Sequence, residues 1–389
     1  MMFENTKIAF SNKKSSELLK SKFIYKILSS VTMARLGTSI IKFAIKIRLP
    51  VKGIIKTTLF DHFCAGENHE ESLTTVNKLG DNKVFSVLDY SVEAGSKEES
   101  FEKFLHKKIQ TIDFSKANKH MPFVVFKPSC FGRSSLFLKL SRGDNLLGNE
   151  KLEWEKVKER FEMVITHAIN SKIKIMVDAE ESWTQKIIDS LMESLMKKHN
   201  QKEVWVFTTL QMYRKDRLNY LKKLIKKSKR ENFKIGIKLV RGAYLEAENL
   251  RAKKLNYSSP ICSNKHKTDD NYNAAVSLIL QNIENILLFA GTHNERSISN
   301  IIHWMMKNRI SKDHPNIWFA QLYGMGDHIT FNLAKEKFHA VKYIPFGPLK
   351  EVLPYLIRRA EENSSVDSNS KRELELINKE IKRRSIQSR

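Results

Sequence analysis

Polar and charged side chains stand where short apolar runs of this sequence end. Eight runs rich in β-branched and aromatic residues occur between residues 84 and 347. The polar residues at or near their ends are Lys127, Asp178, Glu180, Gln211, Lys238, Arg241, Thr292, His293, Asn294, Gln321 and Tyr343. Amines, carboxylates and imidazoles bind anions, exchange protons or form imines, so we expect catalytic or binding chemistry at these positions.

Several of these residues also have a purely structural interpretation. Lys127 lies in an apolar run, where an unpaired charge is costly to bury, so a functional role is favoured. Asp178 could cap the helix that follows it, and His293 could be a hydrogen-bonded buried imidazole. Gly242 could simply allow a tight turn. Because seven of the eight runs end in such residues, a shared functional site explains the pattern better than these separate interpretations.

Two consecutive arginines, Arg358 and Arg359, lie on a predicted helix that follows the last apolar run. Consecutive helical residues point about 100° apart. Tyr355 and Glu362 lie three residues before and four residues after Arg358, at spacings that bring helical side chains together. Guanidinium groups bind carboxylates through two parallel hydrogen bonds, so the pair indicates a substrate that carries a carboxylate.

The elements that must position these residues alternate along the chain. The predicted strands are Val84–Ser91, Pro122–Ser129, Lys172–Glu180, Val204–Gln211, Lys234–Arg241, Asn285–Thr292, Asn316–Leu322 and Ala340–Gly347. Helix-like stretches such as Trp154–Ser171, Thr184–Lys198 and Arg214–Asn232 lie between them. Eight alternating units predict an α/β protein with a (β/α)8 TIM-type barrel, whose active site lies at the C-terminal ends of the strands. A doubly wound sheet is the alternative, but neither a GxGxxG nor a GxxxxGK turn occurs.

These patterns divide the chain into three parts. Residues 1–80 are expected to form an N-terminal helical region, with breaks at Gly37, Pro50 and Gly66. Residues 81–363 would form the barrel. Residues 364–389 are polar and charged, and we expect a frayed helix or a disordered tail there.

The net charge is strongly positive. The 389 residues include 68 Lys or Arg and 43 Asp or Glu, which gives a formal charge of +25. Residues 1–57 contain 12 Lys or Arg and 2 Asp or Glu, so this segment holds +10 of the excess. A basic excess attracts nucleic acids or anionic membranes, but a composition rich in Lys, Ile and Asn explains most of it. Without a nucleic-acid-binding motif we expect no nucleic acid partner, whereas an anionic membrane stays open.

The sequence shows neither a run of 18 apolar residues nor an N-terminal secretion signal. The apolar and basic segment 23–60 suits an organelle transit peptide or a membrane-surface helix. Helices that pack on a neighbouring domain are the interpretation we favour. The three cysteines, Cys64, Cys130 and Cys262, lie far apart, so neither a metal site nor a disulfide framework is predicted.

At these residues the sequence resembles the proline dehydrogenase family, flavoenzymes that oxidise L-proline to Δ1-pyrroline-5-carboxylate. The resemblance covers roughly residues 80–363 and rests on motifs in the family's order. They are DAEE (178–181), TLQMYRKD (209–216), KLVRGAYLEAE (238–248), YN (272–273), THN (292–294), QLYGMGD (321–327) and YIPFGPLKEVLPYLIRRAEEN (343–363). The N-terminal region resembles the helical extension of single-function members, so no aldehyde dehydrogenase activity is expected.

The resemblance implies a distorted barrel that binds FAD non-covalently and passes electrons to a membrane quinone. It implies active-site roles for Asp178 and Lys238. The residues it assigns to the substrate, L-proline, are Lys127, Tyr244, Leu322, Tyr343, Tyr355, Arg358 and Arg359. Those it assigns to the cofactor are Ala179, Gln211, Arg241, Gly242, Ala243, Thr292, His293, Asn294 and Glu362. We expect a bacterial cytoplasmic protein that touches the inner membrane, with the mitochondrial matrix as the alternative.

Two positions depart from the family pattern. Lys238 stands where bifunctional members often carry Arg, and Lys cannot reproduce a guanidinium fork. Leu245 stands where some members have Trp, which removes an aromatic surface for stacking. Two other functions are alternatives to the family function. One is a Schiff-base, aldolase-type barrel that uses the amine of Lys127 or Lys238, and the other is a basic protein that binds membranes or nucleic acids.

Overall fold

The computed structural model describes residues 2–30, 32–33, 52–91, 95, 97–363 and 370–387, apart from the side chains of residues 52 and 361–363. Contacts within the chain divide it into two compact units. We call Ala94–Phe319 the central unit, and Met1–Glu93 together with Ala320–Arg389 the terminal unit.

Eight parallel strands form a nearly closed barrel, with helices between the strands. They are β1 (Phe85–Tyr90), β2 (Phe123–Phe126), β3 (Lys174–Val177), β4 (Val206–Gln211), β5 (Ile235–Val240), β6 (Ile286–Gly291), β7 (Ile317–Leu322) and β8 (Ala340–Phe346). Their order in the sheet is β1-β8-β7-β6-β5-β4-β3-β2, which excludes the doubly wound alternative. The prediction of a (β/α)8 barrel is confirmed, and each strand ends at most three residues inside its predicted bounds.

The described α-helices are numbered along the chain. They are α1 (Thr6–Ala9), α2 (Ser15–Leu28), α3 (Lys52–Ile55), α4 (Asp61–Phe63), α5 (His69–Asp81), α6 (Glu98–Lys116), α7 (Ser134–Arg142), α8 (Asn149–Asn170), α9 (Ser182–His199), α10 (Arg217–Glu231), α11 (Leu245–Lys254), α12 (Lys265–Leu280), α13 (Glu295–Lys307), α14 (Asp327–Lys335), α15 (Leu349–Asn363) and α16 (Ser370–Gln387). Short 3₁₀ turns form at Met2–Glu4 and Pro128–Cys130, and a π-helical turn, Lys56–Phe60, lies between α3 and α4.

The strands of the central unit are mostly buried because both of their faces are covered. Every residue of β2 and of β4 is buried, as expected for parallel strands under helices. The ring of Phe123 meets those of Phe207, Phe289 and Trp318 edge-on, at centroid distances of 5.8, 5.3 and 4.8 Å. A side chain at Gly236 would place its Cβ 2.5 Å from the carbonyl oxygen of Val206, so glycine is required there.

A buried cluster of charges lies in the terminal unit. The carboxylate of Asp327, at the start of α14, is 2.7 Å from the Lys13 amine and 2.8 Å from the Lys342 amine on β8. Burial alone would raise the pKa of Asp327, but attraction to the two lysines outweighs it and holds this pKa well below its usual range. Glu373 of α16 accepts a 2.5 Å hydrogen bond from the backbone N–H of Gly326. The cluster therefore connects both ends of the chain to β8.

The last helix, α16, packs on α1 and α2 in the terminal unit. Its residues Leu376 and Ile377 are each 1% exposed, and they join an apolar cluster with Phe10. Arg384 donates to the Phe10 carbonyl oxygen at 2.9 Å. The expectation of a frayed or disordered tail is therefore wrong for residues 370–387. The apolar residues of this helix are few among its charges, and only the neighbouring helices show that they form a buried face.

Part of the N-terminal prediction falls outside the described residues. The breaks at Gly37 and Pro50 and the middle of the apolar and basic segment 23–60 lie in residues 34–51. The break at Gly66 is confirmed, since α4 ends at Phe63 and α5 begins at His69. Among the residues that the structure describes, no helix is both long and apolar enough to cross a membrane.

The charge cluster predicts a large effect of Asp327→Asn. This change leaves Lys13 and Lys342 buried without their shared counter-charge, so we expect a loss of about 3–5 kcal/mol in the free energy of unfolding, measured with urea. The control is Asp61→Asn, which breaks an exposed pair with Lys20 and should cost less than about 1 kcal/mol. Because the pKa of Asp327 is lowered by folding, its contribution is complete above about pH 4 and is lost as the pH falls further. Similar losses for both variants would contradict the prediction.

Candidate active site

A buried ion pair joins two strands of the central unit. The amine of Lys238 on β5 donates to Oδ1 of Asp178 at 2.5 Å, and the two side chains are 9% and 14% exposed. Asp178 follows the last residue of β3, and its backbone N–H donates to the carbonyl oxygen of Phe126 on β2. The structure thus brings together the two residues that the family resemblance assigns to catalysis.

Arg241, just after β5, is the centre of a second set of contacts. It donates to Asp269 at 2.6 Å, to the hydroxyl of Thr292 at 2.6 Å and to the hydroxyl of Ser297 at 3.0 Å. Its guanidinium carbon lies 4.4 Å from the centroid of the Tyr272 ring, a cation–π contact. These bonds use three of the five guanidinium N–H groups and fix the direction of the rest.

Asp269 stays ionised in this set. Burial acts to raise the pKa of its carboxyl, but attraction to Arg241 and hydrogen bonds from Arg241 and Lys265 lower it below the usual value. Lys265 lies 3.0 Å from the same carboxylate. A doubly paired carboxylate therefore holds Arg241 in place.

The turns after β5 and β6 carry four further predicted residues. Gly242 has a φ of +134°, and a Cβ there would lie 2.5 Å from the ring of Tyr213, so the chain requires glycine. Ala243 is exposed and Tyr244 is half-buried. Asn294 accepts a hydrogen bond from the Ser297 N–H, which makes its side chain the N-terminal cap of α13.

The remaining residues of this group lie at strand ends or just beyond them. Gln211, the last residue of β4, donates from Nε2 to the Glu180 carbonyl oxygen at 2.7 Å. Lys127 follows β2. Burial raises the pKa of the Glu180 carboxyl, and the charge of Lys127 acts against this rise. Ala179 and His293 are both half-buried. The central unit thus holds Lys127, Asp178, Ala179, Gln211, Lys238, Arg241, Gly242, Ala243, Tyr244, Thr292, His293 and Asn294.

Glu180 ends a predicted strand, and the family resemblance assigns it neither to the substrate nor to the cofactor. Its carboxylate accepts hydrogen bonds from the Ser129 backbone N at 2.9 Å and from the Ser129 hydroxyl at 2.6 Å. Burial raises the pKa of this carboxyl to about 7, although the bonds from Ser129 act in the opposite direction. Its place in the DAEE motif was the available signal. Asp269 and Ser297 gave no comparable signal, because each lies in a polar part of a helix, and Ser129 ends a predicted strand but its type alone indicates no role.

The other predicted residues lie in the terminal unit. Tyr355 on α15 is 9% exposed and belongs to an apolar cluster against which Leu322 packs. The guanidinium of Arg359 lies 5.5 Å from the centroid of the Tyr355 ring, and Arg358 is half-buried. Tyr343, 8% exposed on β8, accepts the Tyr323 N–H at its carbonyl oxygen. The side chain of Glu362 lies outside the described residues, so its predicted proximity to Arg358 stays a prediction.

The Asp178–Lys238 pair gives a second prediction. Asp178→Asn and Lys238→Met each leave one buried charge without its partner, so each should lower the free energy of unfolding by about 3–5 kcal/mol. The double variant should lose much less than the sum of the two, which a double-mutant cycle measures. The exposed pair Lys198–Glu162, at 2.7 Å, is the control and should show coupling below about 1 kcal/mol. Additive losses at Asp178 and Lys238 would show that the two charges do not stabilise each other.

Comparisons with known proteins agree with these motifs. The family model described as Proline dehydrogenase matches residues 72–372. Carbapenem antibiotics biosynthesis protein CarD of Pectobacterium carotovorum subsp. carotovorum is 36% identical over 324 residues, which are 83% of this chain and 84% of that protein. Proline dehydrogenase 1, mitochondrial, of Dictyostelium discoideum is 33% identical over 380 residues, which cover 86% of this chain and 66% of that protein.

A solved structure shares the fold. The crystal structure of proline utilization A (PutA) from Bdellovibrio bacteriovorus, inactivated by N-propargylglycine, superposes with a TM-score of 0.68 at 19% identity. The match covers 97% of this chain but only 39% of that one. At this identity the likeness shows the barrel alone. The family model, by contrast, spans most of the sequence, and so the chain belongs to the proline dehydrogenase family.

Proposed function

We propose that this chain oxidises L-proline to Δ1-pyrroline-5-carboxylate, with FAD as the hydride acceptor and a membrane quinone as the final electron acceptor. The observation that carries the proposal is the paired set of Asp178 and Lys238 at the strand ends of the central unit. The family resemblance assigns these two residues to catalysis. The neighbouring residue Arg241, which it assigns to the cofactor, is equally well fixed by its hydrogen bonds.

The residues present fit a flavin dinucleotide. The ring of Tyr213 occupies the place of a side chain at Gly242, and the exposed backbone of Gly242 and Ala243 is accessible to a ligand. Guanidinium, amide and imidazole groups suit the phosphates and the carbonyl oxygens of such a cofactor. The residues proposed to hold FAD are Ala179, Gln211, Arg241, Gly242, Ala243, Thr292, His293, Asn294 and Glu362.

The substrate residues would bind proline by its carboxylate and its ring. In the terminal unit, Arg358 and Arg359 can each offer two parallel hydrogen bonds to a carboxylate, and Leu322, Tyr343 and Tyr355 offer apolar faces to the pyrrolidine ring. In the central unit, Lys127 offers a point charge and Tyr244 a further ring.

FAD, when bound, supplies a hydride acceptor for C5 of proline. The role of this chain's own residues is to place a fixed charged group near the atoms where charge develops during the reaction. Asp178 accepts the hydrogen bond from Lys238 and so fixes the direction of its amine, and this donor is already in place when negative charge forms. The same hydrogen bond argues against a Schiff-base reaction at Lys238, because the amine that would attack a carbonyl is held by the Asp178 carboxylate.

One relative leaves a second candidate for the substrate. CarD is named for carbapenem antibiotics biosynthesis, so a substrate from antibiotic biosynthesis is the alternative to proline. The alternative of a basic binding protein without catalysis predicts no flavin and no effect of arginine changes on α15. The colour of the purified protein and its response to L-proline distinguish proline oxidation, oxidation of another substrate and binding without catalysis.

The main test uses the wild type and Arg359→Met. The wild-type protein should show flavin absorption that L-proline bleaches. Arg359→Met removes a charged, two-point contact to the carboxylate, so the KM for proline should rise about 10- to 100-fold while FAD is retained. The control is Arg230→Met, which alters an exposed arginine on α10 and should leave KM unchanged. A colourless protein that takes up no FAD would overturn the proposed function, and an unchanged KM would remove Arg359 from the substrate site.

We also propose that the basic N-terminal part approaches the anionic membrane that holds the quinone, at the bacterial inner membrane or, alternatively, in mitochondria. Lys20 and Lys26 are exposed on α2. The wild type should bind vesicles that contain anionic lipid at low salt and leave them at about 1 M salt, where charges are screened within about 3 Å. Lys20→Glu with Lys26→Glu should weaken this binding more than Lys222→Glu with Lys223→Glu on α10, which makes the same charge change. Sedimentation with vesicles measures the effect, and no binding at low salt would end the proposal.

A further inference from the structure

The segment 178–182, which leads from β3 into α9, is anchored at both of its ends. At its start, Asp178 accepts the 2.5 Å hydrogen bond from Lys238. At its end, Glu248 of α11 accepts hydrogen bonds from the backbone N and from the hydroxyl of Ser182, both at 2.6 Å. Glu248 is fully buried, so these bonds are shielded from water. These hydrogen bonds hold both ends of the segment in place.

The third anchor lies at the middle of the segment. Glu180 receives two hydrogen bonds from Ser129, which belongs to the 3₁₀ turn Pro128–Cys130 directly after Lys127. On its other side, the Glu180 backbone carbonyl accepts the hydrogen bond from Gln211 Nε2 at 2.7 Å. Glu180 therefore contacts both the turn that follows Lys127 and the side chain of Gln211, the last residue of β4.

The Glu180 side chain can hydrogen-bond to Ser129 in either of its protonation states. As a carboxylate it accepts both hydrogen bonds from Ser129, and as a neutral acid it accepts one and can donate to the hydroxyl. Lys127 and Glu181 are the charged groups that act on it, in opposite directions, and the thiol of Cys130 also lies near. A glutamine at position 180 offers one acceptor and one donor, so it reproduces the hydrogen bonds of the neutral acid. An alanine reproduces neither.

We propose that Glu180 is a positioning residue: its carboxylate, bonded to Ser129, sets the position of Lys127 and of the Glu180 carbonyl oxygen that Gln211 bonds, and thereby the affinities for proline and FAD. The inference rests on the proposed function, which assigns Lys127 to the substrate and Gln211 to the cofactor. It adds a residue to which neither the motifs nor the family resemblance gave a role.

The experiment compares Glu180→Ala, Glu180→Gln and Ser129→Ala with the wild type. The dissociation constant for FAD is measured by titration of the FAD-free protein, and the KM and kcat for proline are measured with saturating FAD. Glu180→Ala should raise both the FAD dissociation constant and KM about tenfold, with a smaller change in kcat. Glu180→Gln should stay within about threefold of the wild type, because it keeps both hydrogen bonds to Ser129. Glu159→Ala, which alters an exposed glutamate on α8, is the control and should leave both quantities unchanged.

Ser129→Ala keeps the test decisive if Glu180→Ala does not fold. It removes only the hydroxyl donor, so it should shift the FAD dissociation constant and KM in the same direction by a smaller factor. If Glu180→Ala lowers the melting temperature alone, or if Glu180→Gln is as weak as Glu180→Ala, the positioning role is overturned. If the wild type binds no FAD, the proposed function fails and the inference fails with it. Normal FAD binding by every variant overturns the inference alone.

Discussion

A positive charge inside a barrel strand is stable only beside a negative one, and the central unit is arranged around that requirement. Lys238 is placed within β5, in register with Thr209 of β4, and Asp178 neutralises it from the end of β3. The Thr209 hydroxyl bonds the carbonyl oxygen of Val177, so three strands are tied together at one level. Burying the amine without this carboxylate would cost several kcal/mol, which explains why the strand ends are linked side chain to side chain.

The barrel itself was predictable from the sequence, and the reason is physical. Strands covered on both faces are largely apolar, so β2 stands out as an uninterrupted apolar run and β4 as a run rich in apolar and β-branched residues. The predicted bounds were too long where polar residues such as Asp178 and Glu180 follow a strand. These residues leave the strand ladder in order to bond side chains of other elements, and a propensity pattern cannot show that change.

The candidate site was predictable in its types of residue but not in its partners. Lys238, Arg241 and Thr292 were found because each interrupts or ends an apolar run. Asp269 and Ser297, which hold Arg241, lie at polar positions of α12 and α13, where a charged or hydroxyl residue is ordinary. The tail was predicted wrongly for a related reason, since α16 buries its few apolar residues against helices that are remote in the sequence.

The charge cluster around Asp327 has a consequence for the smallest form in which this barrel can exist. Lys13 near the start of the chain and Glu373 near its end both contribute to that cluster, whereas Asp327 and Lys342 belong to the barrel. A fragment trimmed to residues 81–363 would keep the buried carboxylate and the β8 amine but lose the groups that complete their environment. Residues outside the barrel therefore help to neutralise its buried charges. Shortening the chain to residues 81–363 would remove Lys13 and Glu373 from the charge cluster.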